Sequence, residues 1–305
     1  MRPTFLLLLL IFLFGSMAAC NSSDPIPISL KNKETVAGKL PVQPMPLRIG
    51  LGAMITPRAG YVYYQRLGEY IGQRLGRPVQ LVDREDYQQM NQLLEKNGVD
   101  MAFVCAGPYV EGKKKFGMEL LVMPIVKGQP IYYSYIIVPK DSPAKRLQDL
   151  QGKTFAFTDP KSNSGKLVPT YMLAKMNKTP GGFFSSHRFT HGHDISIRAV
   201  AENLVDGAAV DSLIWDYVNR TTPEITAKIR IIEKSEPYGI PPVVVRPGLD
   251  PKLKKQISEI MINIASDRVG KEILQGMMID GFVSADDSRY DTIRQLNDWL
   301  ARRKQ

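Results

Sequence analysis

Short apolar segments alternate with runs of helical spacing from Leu47 to Pro242, and this alternation restricts the possible folds more than any single motif does. Leu47-Arg48-Ile49-Gly50-Leu51 reads as a strand. Tyr64, Leu67, Ile71 and Leu75 then recur at the spacing of one helix face, and Gly76 stops the run. Val79–Val82 and Asp100–Val104 are further strand candidates, with a helix from about Asp86 to Lys96 between them. After Lys140 a second series repeats the arrangement without repeating the sequence. Its strand candidates are Phe155–Phe157, His187–Thr190, Ala208–Val210 and the stretch around Ile231 and Ile232, and a helix carries Ile197, Val200 and Leu204. Strands separated by helices pair in parallel, because a parallel return needs a long crossover. The apolar runs Leu120–Ile125 and Tyr132–Val138 lead from the first series into the second. Pro241-Pro242-Val243-Val244-Val245 leads back, toward helices marked by Leu253, Ile257, Ile260 and Ile264 and by Tyr290–Arg302. The expected fold is α/β with two lobes, each a mostly parallel sheet flanked by helices, joined by two crossing segments. Lobe 1 takes residues 47–138 and 241–305, and lobe 2 takes residues 139–240.

Residues 1–19 read as an export signal, with Arg2, an apolar run from Phe5 to Phe14, and small residues ending at Ala19. The run is short for a membrane span. Met17-Ala18-Ala19-Cys20 resembles the lipobox of bacterial lipoproteins, in which the cysteine is acylated and becomes the first residue of the mature chain. Met17 stands where Leu is usual, which leaves ordinary cleavage beside an incidental cysteine as the other reading. Residues 20–46, polar and punctuated by proline, read as a tether reaching up to about 70 Å when extended. Cys105 is the only other cysteine, so an acylated Cys20 would leave the exported protein without a disulfide, held together by its core alone. The net charge of +10 favours anionic ligands. The basic residues lie in small scattered groups without interleaved aromatics, which argues against a nucleic-acid partner.

Thr158-Asp159-Pro160-Lys161-Ser162-Asn163-Ser164-Gly165 lies between a strand and a helical run that begins near Lys166. A helix start presents unpaired amides and the positive end of the helix dipole, so the segment suits an oxyanion. Its plain alternative is a helix cap. Ligands of open α/β sheets sit beyond the carboxyl ends of strands. Cys105–Gly107, His191–Asp194 and Asp211 fall at such ends as well, and all four ends point to one cleft.

Across roughly residues 47–295 the chain resembles the phosphate, phosphite and phosphonate family of periplasmic solute-binding proteins of ATP-binding-cassette (ABC) importers, which have the type II binding-protein fold. The resemblance is carried by Asp100–Tyr109, Tyr132–Ser142, Asp159–Gly165 with Pro169, His193-Asp194 with Arg198–Val200, Ala209–Ser212 with Trp215, and Gly281-Phe282 before Tyr290. It implies that Ser162, Asn163, Ser164 and Gly165 grip the oxyanion, that His193 donates to it, and that Tyr133 closes on it from the hinge. It also implies that Asp211 meets a ligand amine or a protonated oxygen; an N-cap role for Asp211 is the alternative reading. No cofactor is implied. The implied partners are a small oxyanion, an ABC permease and, through Cys20, the membrane of the periplasm or cell exterior.

Cys105 departs from the family pattern and resembles a subgroup of arsenite-sensing binding proteins paired with a membrane histidine kinase. Sensing through Cys105 is therefore the alternative to transport, and plain packing of a buried thiol is the other reading of the same residue. Catalysis by Cys105 with His193 lacks a nucleophile signature, and no enzyme is expected. His191 and His193 would share one face of a strand but have no third ligand, so no metal site is expected.

Overall fold

The computed structural model describes residues 44–52 and 60–303. The export signal, Cys20 and all but the last three residues of the tether lie outside the described residues. The first half contains β1 (Leu47–Leu51), α1 (Tyr61–Leu75), β2 (Val79–Asp83), α2 (Tyr87–Glu95), β3 (Met101–Phe103), α3 (Ala106–Phe116) and β4 (Glu119–Ile125). The chain crosses at β5 (Ile131–Tyr132) into β6 (Ser134–Pro139), and continues with β7 (Thr154–Phe157), α4 (Val168–Lys175), α5 (Pro180–Phe183) and β8 (Ser186–Phe189). Next come α6 (His193–Ala201), β9 (Gly207–Asp211), α7 (Ser212–Thr221), α8 (Pro223–Thr226) and β10 (Ile229–Lys234). It returns at β11 (Tyr238–Gly239) to β12 (Val243–Val245), α9 (Pro251–Ile262), α10 (Arg268–Met277), β13 (Gly281–Ser284) and α11 (Asp291–Arg302). Among the described residues no helix is long and apolar enough to cross a membrane.

Two sheets form, ordered β13-β4-β12-β3-β1-β2 and β10-β6-β9-β7-β8, and β5 pairs with β11 where the chain crosses between them. The expected parallel pairing holds where helices feed the strands, at β2-β1-β3 and at β8-β7-β9. The other halves of both sheets are antiparallel, so each sheet is mixed rather than mostly parallel. The reason is direction: β6 and β12 enter their sheets from the crossings, and a strand arriving that way runs against its neighbours. Ser134–Val138, expected in the first lobe, pairs with β9 and β10 in the second sheet, because the chain has already crossed at Tyr132.

Local chemistry accounts for the element ends. Gly76 closes α1 at a φ of +62°, a left-handed conformation that costs glycine little. The Asp86 carboxylate accepts the Gln89 amide and starts α2. The three valines of β12 bury on both faces, as a central strand requires, while Leu47, Ile49 and Leu51 of β1 bury together on one. One face of the first sheet packs Ile49 and Val243 with Leu67, Ile71, Ile257 and Ile273. The other packs Ala102 and Val244 with Leu94, Tyr109 and Ile293.

Candidate functional site

β7 ends at Phe157, and the chain after it turns at once into the second half of the cleft. The Ser162 hydroxyl accepts the Gly165 amide at 2.9 Å and caps a wide helical turn over Asn163–Leu167 that runs into α4. A β-carbon on Gly165 would lie 2.5 Å from Thr158 Oγ1, so the turn closes this tightly only with glycine. Asn163 Nδ2 donates to the Tyr132 hydroxyl at 2.9 Å, and the Ser134 hydroxyl donates to the Ser164 carbonyl at 2.6 Å. Ser162, Asn163 and Ser164 are all buried, yet Ser164 Oγ and Asn163 Oδ1 have no hydrogen-bond partner. Buried polar atoms are nearly always satisfied, so two orphans at a helix start make this turn the candidate seat for another molecule.

His193 and Asp211 complete this wall. The Asp211 amide donates to His193 Nδ1 at 3.0 Å, which leaves the neutral ring with its proton on Nε2, 3.4 Å from the Tyr87 hydroxyl. Burial pushes His193 down to about 3, so the imidazole is uncharged and serves as an N–H donor. Asp211 Oδ1 accepts the Leu213 amide at 2.7 Å and caps α7, while Oδ2 is buried and unpartnered. The N-cap reading and the cleft reading thus describe two oxygens of one carboxyl. Burial, partly offset by the Leu213 and Ile214 amides, raises Asp211 to about 7. Its charge adds to the burial that raises Tyr64, Tyr87, Cys105 and Tyr132.

The first half supplies Tyr87 and Cys105. Cys105 stands at the start of α3, and its buried sulfur lies near the Asn163 and Gly107 amides and the Tyr132 hydroxyl. Burial dominates and pushes the thiol up to about 11, so Cys105 is protonated near neutrality rather than a thiolate. These neighbours come from α3, from the turn after β7 and from the crossing strand β5. A β-carbon on Gly107 would lie 2.5 Å from the Lys161 carbonyl, a measure of how closely α3 meets the Ser162 turn.

Ser162, Asn163, Ser164, Gly165, His193, Asp211 and Cys105 therefore converge. Tyr133 does not join them: its ring lies under the Lys234 ammonium at 3.6 Å, and its neighbour Tyr132 faces the cluster. His191 sits in a left-handed turn between β8 and α6, so it does not share a strand face with His193. Tyr87, Tyr132 and Thr158, whose hydroxyl lies 3.0 Å from His193 Nδ1, also belong to the cluster; Tyr132 and Thr158 fall inside segments that the sequence singles out, while Tyr87 carries no local signal. A neutral imidazole N–H, a free hydroxyl and helix-start amides suit the ionised oxygens of a small anion, and Asp211 Oδ2 suits a proton that the ligand carries.

Residues 49–290 match the family of ABC transporter, phosphonate, periplasmic substrate-binding proteins. The phosphonates-binding periplasmic protein of Escherichia coli (strain K12) is 29% identical over 228 residues, 73% of this chain and 67% of that protein. The chain spans about half the length of two further curated relatives it matches. The crystal structure of a binding-protein component of a phosphonate ABC transporter from Pseudomonas aeruginosa is 25% identical and superposes with a TM-score of 0.78, covering 83% of this chain and 86% of that one. A Prochlorococcus marinus protein solved with methylphosphonate shares the fold at 16% identity, with a TM-score of 0.77, covering 84% of this chain and 98% of that one. Sheet order, cleft and family match agree, and the chain belongs to the phosphonate-type periplasmic substrate-binding proteins of ABC transporters, with their two-lobed type II fold.

Proposed function

We propose that this protein captures a phosphonate, phosphite or phosphate between its two lobes and delivers it to an ABC permease. In this reading the Ser164 hydroxyl and amide and His193 Nε2–H hold the ionised oxygens, and Asp211 Oδ2 accepts a hydrogen bond from a singly protonated oxygen or from a ligand amine. The two crossings, where Tyr132 pairs with Tyr238, act as the hinge. Cleavage after Ala19 and acylation of Cys20 would hold the protein at the membrane beside its permease; loss of labelled-palmitate incorporation in Cys20→Ala tests the anchor.

One observation carries the reading: three buried side-chain atoms without partners, Asn163 Oδ1, Ser164 Oγ and Asp211 Oδ2, at one helix start and one strand end. A bond to a charged oxygen is worth about 1.5–3 kcal/mol, so Ser164→Ala with His193→Ala weakens methylphosphonate, phosphite or phosphate binding about 100-fold or more in calorimetry. Unchanged affinity in that variant removes the seat. Transport is preferred to histidine-kinase sensing because the family is a transport family and because burial raises the thiol on which sensing rested to about 11, which keeps it protonated near neutrality.

A further inference from the structure

Each sheet keeps its crossing strands to one side. The chain leaves the first sheet through β4 and re-enters it at β12, and it joins the second through β6 and leaves it through β10. The edges opposite are β2 in the first sheet and β8, with β7 beside it, in the second. Segments that follow these strands meet far from the crossings, where a hinge motion separates the two halves most. A buried contact spans the cleft there. Tyr87 opens α2 after β2, so its amide has no carbonyl to meet within the helix. It donates instead to Oδ2 of Asp159, two residues past β7, at 3.3 Å, and both residues are buried. The other end of Tyr87 also touches the second half, its hydroxyl lying 3.4 Å from His193 Nε2.

Asp159 belongs to the same turn as the seat. Its Oδ1 accepts the Lys161 amide at 2.7 Å, and its carbonyl accepts the Ser162 amide at 3.0 Å. The carboxylate thus has one oxygen for each half: Oδ1 shapes the turn that leads to Ser162, and Oδ2 reaches across to α2. Opening the cleft breaks only the second bond, so that bond weighs on the balance between open and closed forms and leaves the seat as it is. We propose that Asp159 clasps the closed cleft through the Tyr87 amide, setting how long a captured anion stays while the seat sets which anion is captured. The clasp rests on the Ser162 turn being the oxyanion seat.

Amide exchange at Tyr87, read on the purified full-length protein with and without saturating methylphosphonate, follows the bond without a mutation. Exchange is expected to slow about 10-fold or more with the ligand, because binding favours the form in which the amide is bonded and buried. Asp159→Asn then separates the two oxygens. A carboxamide has a single acceptor oxygen, which keeps the shorter bond to Lys161 and turns the NH2 group toward the Tyr87 amide. Methylphosphonate release is expected to quicken about 10-fold in this variant, with association within about 2-fold of the parent. Equal Tyr87 exchange with and without ligand overturns the proposal, as does an Asp159→Asn protein that releases at the parental rate or that loses affinity through slower capture alone. If the variant does not fold, the exchange measurement on the parent decides by itself. If the parent binds none of methylphosphonate, phosphite and phosphate, the seat reading falls first and takes the clasp with it.

Discussion

Two carboxylates lie at the edges of central strands, and the fold treats them in opposite ways. Asp100, just before β3, accepts the Arg48 amide at 3.0 Å and the Arg48 guanidinium at 2.9 and 3.1 Å, and takes a further bond from Arg246 at 3.1 Å. Burial alone would raise it, and these bonds reverse that and hold it below the usual carboxylate range. Asp211, at the end of β9, has no cation bonded to it, keeps one oxygen unpartnered, and is raised to about 7. A buried charge whose bonds are all met inside the chain supports the fold. One that is left unmet is held for something else.

The largest expected effect breaks the satisfied member. Asp100→Ala strands two partly buried guanidiniums and is expected to cost about 2–3 kcal/mol in urea unfolding, below the full cost of breaking a buried pair because both arginines retain some exposure. Its phosphonate affinity should stay at the parental value. Asp211→Asn should do the reverse: it costs no stability at pH 7, since no bonded cation is lost and a buried carboxylate charge is removed, and it places a donor where the ligand's proton would be accepted. Binding of a singly protonated phosphonate then weakens relative to the dianion, so affinity measured against pH shifts toward the alkaline side. An Asp211→Asn protein with parental affinity and pH profile would erase the distinction.

The comparison sharpens when Asp211 is set against His193, whose Nδ1 accepts its amide. Asp211 is raised from 3.8 to about 7, so its contribution to stability is present below the unfolded value and is lost as the pH rises through that window. His193 is lowered from 6.5 to about 3, so its contribution is present above the unfolded value and is lost as the pH falls. Between about pH 4 and 6.5 the two slopes oppose and cancel. Relative to the parent and without ligand, Asp211→Asn is expected to gain stability with rising pH at about 1.4 kcal/mol per unit in that window, and His193→Gln to lose it at about the same rate. Remaining groups contribute equally to all three proteins and drop out of the difference. Parallel stability curves would mean that the two side chains are not buried as described.

Much of this was visible in the residues. The limits of β1 and β12 and the stop at Gly76 follow from apolar pattern and cap chemistry, and the capped turn at Ser162–Gly165 follows from small residues between a strand and a helix. Three features were not legible, each for a physical reason. Alternation states that Tyr132 and Tyr133 face opposite ways, but which of them faces the cleft is set by the partner strand β11. Ala106-Gly107-Pro108 reads as a turn, yet glycine and proline are tolerated in a first helical turn, where few amides have helical partners, and the segment opens α3. Strand direction is absent from an apolar run, so the antiparallel halves of the sheets, and the passage of Ser134–Val138 into the second sheet, appear only once the strands have paired.

The smallest effect comes from a third kind of carboxylate, paired but exposed. Glu272 meets Arg66 at 3.2 Å, joining α10 to α1 across the surface of the first half, with both side chains well exposed to solvent. Water already solvates both partners, so their attraction replaces little and salt weakens it further. Glu272→Gln is expected to change unfolding stability by less than about 1 kcal/mol, a difference that shrinks further in 0.5 M salt, and to leave ligand affinity unmoved. Asp100→Ala should keep most of its cost in the same salt, because a partly buried pair is screened far less. If salt reduces both costs alike, Asp100 is held by exposed electrostatics rather than by a buried network, and its contrast with Asp211 would then be one of solvent access rather than of bonding.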